Sequence, residues 1–167
     1  MTFRTDSAQQ RFARVLRGEH RVLRDLLLLL ANAFELRDTE GIRSIFGEFA
    51  SFAGPHFRYE EEALHPAFLA VFGSEYADKL RVAHEVAIAS AQRLEELSRV
   101  KDLTEEDVDE AVWLVHTILP HVSDFDGPGV IVELLTDETV GSVLRTRETA
   151  RRAGVDLLTW SEEVRTA

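Results

Sequence analysis

Cysteine is absent from the 167-residue chain. That excludes disulfide scaffolds, thiolate zinc sites, iron–sulfur clusters and cysteine nucleophiles, so any bound metal must be held by nitrogen and oxygen donors. Proline occurs only at 55, 66, 120 and 128, and no stretch alternates apolar and polar residues as a strand does. Long apolar runs are missing too: none is longer than that from Leu26 to Ala31, far below the roughly 20 residues that span a bilayer. Positive charge is scarce, 19 Lys and Arg against 30 Asp and Glu for a net charge of -11. This disfavours nucleic acid and anionic membrane surfaces as partners. The polar stretch Met1 to Gln10 carries no hydrophobic leader, and the expectation is a cytoplasmic protein.

What is present is helical periodicity. From about Ser7 to Arg37, Leu16, His20, Leu23, Leu27, Leu30 and Phe34 step by four and three, so His20 interrupts an apolar stripe. A second segment, from Glu40 to about Val71 with Thr39 as its expected N-cap, carries Ile45, Phe49, Phe52, His56, Tyr59 or Glu60, and Ala63. A third, Ser74 to Arg99, carries Leu80, His84, Ala87, Ala91 and Leu94. The fourth opens at Thr104-Glu-Glu-Asp107 and carries Val108, Val112, Val115 or His116, and Leu119. Long helices joined by short turns pack antiparallel, which predicts an all-α, up-down-up-down four-helix bundle over residues 1–126. Residues 127–167 read as a C-terminal extension of two shorter helices, about Asp137 to Arg152 and Asp156 to Arg165, that cover the bundle or mediate a homodimer.

In antiparallel neighbours, residues equidistant from the shared turn lie at one height. With turns centred near 39, 73 and 101 or 102, His20 falls opposite position 58, between His56 and Glu60. Positions 56 to 60 fall opposite 86 to 90, within about a turn of His84, and His84 falls opposite about 119, between His116 and His121. All four helices thus deliver imidazoles to one layer. Buried imidazoles and a carboxylate are costly unless every polar atom finds a partner, and a metal centre supplies such partners. Without thiolate the set suits iron, manganese or zinc, and its size suggests two ions. His65 falls on the opposite side of its helix from His56 and is expected to be exposed.

His20, the run His56-Phe-Arg-Tyr-Glu60-Glu61 followed by Leu64 and Pro66, His84, and the pair His116 and His121 together resemble the hemerythrin-like (HHE cation-binding) family. The resemblance spans about residues 10 to 126. It implies a non-haem centre of two iron ions, oxo- or hydroxo-bridged, with Glu60 between them, His20 and His56 on one ion, and His84 and His116 on the other. The sequence departs from the oxygen-carrying members in two ligands. Ile88 stands where their third helix has a second histidine, and His121 stands where their fourth has a bridging aspartate. His116 and His121 are about 140° apart on a regular helix, so both face the core only if Pro120 accompanies a local bulge. A rival alignment pairs His121 with Asp124 or Asp126. Tyr59, three residues from His56, is either a packed aromatic or a phenolate ligand or hydrogen-bond donor near the site.

Open coordination positions favour reaction with an exogenous oxygen species over simple carriage. The expected function is binding and turnover of O2 or hydrogen peroxide, including catalase-like disproportionation, with Tyr59 or Glu61 supplying protons or hydrogen bonds. The alternative is an O2, nitric oxide or iron sensing module without turnover. A zinc-holding or purely structural bundle is the third reading.

Overall fold

A computed structural model describes residues 6–123 and 131–165. Its first helix, α1 (Ala8–Glu35), starts at a reciprocal cap: the Ser7 side chain accepts from the Gln10 amide, and the Gln10 side chain accepts from the Ser7 amide. The chain reverses through Arg37, which has φ 50°, while the Asp38 amide bonds back to the Ala33 carbonyl. α2 (Thr39–Tyr59) is capped by Asp38, whose carboxylate accepts from the Gly41 amide. The expected cap, Thr39, is instead the first helical residue, because the acidic side chain one position earlier already satisfies that donor.

α2 runs without a break through a π-turn (Glu60–Leu64) into α3 (His65–Phe72), so the second segment is one long rod with a wide turn in it. Gly73, at φ 81°, separates it from α4 (Ser74–Ser98). α5 (Glu105–Ser123) is the fourth bundle helix. α1 packs against α2 and α5, and α4 packs against α5, α3 and α2, which closes an antiparallel ring. The fold is an all-α bundle, and no strand occurs among the described residues. None of the described helices is long and apolar enough to cross a membrane.

After a 3-10 turn (Val132–Leu134) come α6 (Asp137–Ala153) and α7 (Leu157–Thr159), the latter continuing into a second π-turn (Trp160–Val164). α6 lies across α2 and α1, and α7 lies on α2 and α4. Gly154, left-handed at φ 62°, turns the chain between them. Gly54 of α2 lets the backbone of residues 155–157 approach closely: a Cβ at that position would sit 2.6 Å from the Asp156 carbonyl carbon.

The core is split in two. A larger cluster gathers Leu23, Leu27, Leu30, Phe49, Phe57, Leu94, Val115 and Trp160. A smaller one gathers Phe12, Leu16, Tyr59, Leu64, Phe68, Val140 and Val143. On α1 the boundary falls between Leu16 and Leu23, where His20 is buried. The apolar stripe expected for α1 is therefore the observed one. On α2 it is rotated by about one residue, with Ile42, Phe46, Phe49 and Ala53 buried and Ile45 and Phe52 only partly so.

Candidate metal centre

The polar layer between the two clusters centres on Glu60, which is 3% exposed. His20, from α1, places Nε2 3.5 Å from its Oε1, and His56, one turn earlier on α2, places Nε2 3.3 Å from the same oxygen. His121, from α5, places Nε2 3.3 Å from Oε2, and His84, from α4, bonds to Oε2 through its Nε2 at 2.9 Å. The imidazoles are in mutual contact, with ring centroids 4.9 Å apart for His20 and His56, and 4.6 Å for His84 and His121.

Two overlapping sets of donor atoms result. In one, His20, His56, Glu60 and His121 bring their donors within 4.8 Å of one another; in the other, Glu60, His65 and His84 do so. Glu60 belongs to both. In the first set the Nε2 atoms of His20, His56 and His121 are buried and have no aligned hydrogen-bond partner. Each such orphan costs about 1–3 kcal/mol, so three converging on one carboxylate are the mark of a site shaped for a cation. The donors are imidazole nitrogen and carboxylate oxygen only, and the smaller set is a two-histidine, one-carboxylate arrangement of the kind that suits iron.

The assignment of the histidines is corrected in two places. His116 is exposed and belongs to neither set. α5 stays α-helical through Pro120, so the spacing of five carries His116 to the outside while His121 faces in. His65, expected to be exposed, is half-buried, with its ring 4.6 Å from that of His84. The bulge lies on the second rod rather than the fourth: the His65 amide donates to the Glu60 carbonyl five residues back. A turn closed over five residues stacks its first and last side chains, which turns His65 onto the face of Glu60. Asp124 and Asp126, the rival partners of His121, lie outside the described residues.

Two of the ligand-type histidines have carboxylates behind them. His56 Nδ1 lies 3.0 Å from Glu19 Oε2, and His84 Nδ1 lies 2.9 Å from Glu61 Oε1. An ionised carboxylate only accepts, so both rings carry hydrogen on Nδ1 and turn Nε2 inward. Glu19 escapes a reading by stripe because it sits beside His20 on α1; it also accepts from the Tyr59 hydroxyl at 2.7 Å and from Arg147 of α6. Glu61 accepts in turn from Arg165. Tyr59 is thus fully buried with its hydroxyl on the outer carboxylate. Both Tyr59 and Glu61 act on the rear of the imidazoles.

Electrostatics follow how burial weighs against the carboxylates hydrogen-bonded to each ring. Burial pushes the His56 imidazole down, yet Glu60 and Glu19 on its two nitrogens outweigh it and raise the pKa to about 9. For His84 burial is likewise overcome, by Glu60 and Glu61, and the shift is upward. For His65 and His121 burial is not overcome, and with the neighbouring His84 adding to it each is taken down to about 4. Burial would raise Glu60, but His56, His121 and His20 around it hold it well below the usual carboxylate range. Burial raises Tyr59 well above the usual phenol value, and the charges of Glu19 and Glu60 add to it, so the phenol keeps its proton.

The inner face of the layer opens on a cavity of about 200 Å³ lined by His20, Glu60, His65, His121 and the apolar side chains of Leu64, Phe68 and Leu80. A second cavity, of about 310 Å³, reaches the rear of His56 past Glu19, Tyr59 and Arg151. No curated protein and no solved structure gave a significant match. The family model described as the hemerythrin HHE cation binding domain matches residues 11–124, which takes in the four bundle helices and both donor sets. By that match the chain belongs to the hemerythrin HHE cation-binding family.

Proposed function

We propose that this chain is a non-haem di-iron protein that binds O2 or hydrogen peroxide and reacts with it, with catalase-like disproportionation as the leading reaction. The observation that carries the reading is the sharing of Glu60 by two donor sets, His20, His56 and His121 on one side, and His65 and His84 on the other. One carboxylate between two nitrogen-rich sets suits a pair of ions. Iron, when bound, supplies the redox chemistry: two hydrogen peroxide molecules give one O2 and two water molecules. The chain's own part is to hold the imidazole nitrogens inward through Glu19 and Glu61, to keep a proton on Tyr59, and to admit a small ligand through the mostly apolar 200 Å³ cavity.

The test is metal quantification with visible spectra before and after reduction and on adding O2, peroxide and azide, followed by oxygen evolution from peroxide. About two irons per chain and oxygen evolution above free iron are expected, both lost in His56→Ala and Glu60→Ala. Zinc alone, or no metal, would overturn the reading. A second reading, sensing of O2, nitric oxide or iron without turnover, is favoured by the contacts that Arg147 and Arg165 of the C-terminal extension make with Glu19 and Glu61. Ligand binding with no oxygen evolution would select it.

A further inference from the structure

The extension reaches the rear of both donor sets in the same way. From α6, Arg147 places Nε 2.7 Å and Nη2 2.6 Å from Glu19 Oε1, while the other oxygen of Glu19 holds His56 Nδ1. From just beyond the second π-turn, Arg165 places Nε 2.8 Å from Glu61 Oε2, while the other oxygen of Glu61 holds His84 Nδ1. Each donor set therefore has one histidine–carboxylate–arginine chain, and both arginines come from outside the bundle. These ion pairs are not of the exposed kind that contributes little: the four side chains are between 11% and 19% exposed.

Resting on the reading of Glu60 and the five histidines as a metal centre, we infer that Arg147 and Arg165 are positioning residues of that centre, one for each ion, and that metal occupancy and docking of the C-terminal extension are coupled. The carboxylates set the tautomer and the ring plane of His56 and His84. A carboxylate with one oxygen on an imidazole needs its other oxygen fixed if it is to hold that ring still, and the guanidinium fork does this in a way a flexible ammonium does not. Partners behind a ligating histidine are commonly worth 10–100-fold in metal affinity. Because coupling is reciprocal, whatever the docked extension adds to metal binding, bound metal adds to docking. The larger core cluster includes Leu157, Leu158 and Trp160 of the extension, so docking has apolar support besides the two ion pairs. The arginines add a link whose strength depends on what the histidines hold.

The experiment titrates ferrous iron anaerobically into the full chain and follows proteolysis of residues 137–165 with and without iron. In a His65→Ala background, which leaves the four-residue set, Arg147→Gln should weaken the remaining ion about tenfold or more while Arg165→Gln leaves it unchanged. In the otherwise native chain, Arg165→Gln should weaken one ion by a similar factor. Arg147→Lys and Arg165→Lys keep the charge and should recover only part of the loss. Arg152→Gln, on the same helix but paired with Glu148 at the surface, should match the native chain in both readouts. Iron should slow cleavage of the extension in the native chain, and slow it less in the two Gln variants. Two ions in the native chain, with the Gln variants within about twofold of it and iron without effect on cleavage, would overturn this inference and leave the metal centre standing. No iron uptake by the native chain would overturn both.

Discussion

Glu60 and His65 are five residues apart and share one face of their helix, because the chain between them forms a π-turn. His116 and His121 have the same spacing but lie on a regular α-helix, and only His121 faces the core. The substitutions His65→Ala and His116→Ala therefore separate cleanly. The first should cost one of the two ions, weakening it by at least about tenfold. The second should leave stoichiometry and affinity unchanged. Metal content per chain after dialysis, with a titration for each variant, checks both.

The same pair shows what a single chain of letters conveys. Counting from the turns put His20, His56 and His84 at one height, and the apolar stripes of α1 and α4 put His20 and His84 on the inner face, because a helix of 3.6 residues per turn converts spacing into facing. An inserted residue breaks that conversion, and nothing in Glu60-Glu-Glu-Ala-Leu64 says that the turn widens there. Pro66 and Pro120 each remove an amide donor next to a histidine, His65 and His121. One accompanies a bulge and the other does not, so proline marks where a helix can yield without deciding that it does. Glu19 was illegible for another reason: its partner Arg147 lies 128 residues along the chain, and a carboxylate next to a core histidine on α1 looks like part of a solvated flank. Ile88 and Tyr59, both buried, could by contrast be placed near the layer from spacing, though not their contacts.

Tyr59 donates to Glu19 from behind His56. Tyr59→Phe should therefore retain both ions and leave no missing phenolate charge-transfer band in the visible spectrum. A buried hydrogen bond to a charged group is lost, which should lower stability by about 1–3 kcal/mol. Oxygen evolution should fall through loss of ring positioning. Loss of a visible band together with one ion would place the phenol on the metal instead.

The metal-free protein should have a narrow window of greatest stability. Burial would raise Glu19, but His56, Tyr59 and Arg147 hold it at about 2 against an ordinary 4.5. Its contribution is thus complete above about 4.5 and is lost as pH falls toward 2. His56, raised to about 9 from 6.5, contributes fully below about 6.5 and loses that contribution as pH rises through 9. Urea unfolding of metal-free protein should peak between about pH 5 and 6.5 and decline on both sides. In the loaded protein a metal replaces the proton on Nε2 of His56, so the alkaline decline should disappear, and loading at pH 7 should release protons measurable in weak buffer.

Gly54 provides a test of the extension that leaves every charged group in place. A methyl group there would lie 2.6 Å from the Asp156 carbonyl carbon and 2.7 Å from the Leu157 nitrogen. Both are backbone atoms that cannot rotate aside, so Gly54→Ala should push the 155–157 segment away from α2 and cost about 1–3 kcal/mol. Because that segment leads into α7, the π-turn and Arg165, the displacement should also loosen the grip on Glu61. Hydrogen exchange should rise over residues 155–165, with less change at 8–35. Gly18→Ala and Gly47→Ala serve as controls: nothing lies within 4 Å of a Cβ at either helical position, and there the replacement should stabilise by about 0.5–1 kcal/mol. Equal behaviour of all three variants in denaturant would mean that residues 155–157 do not rest on α2 in solution.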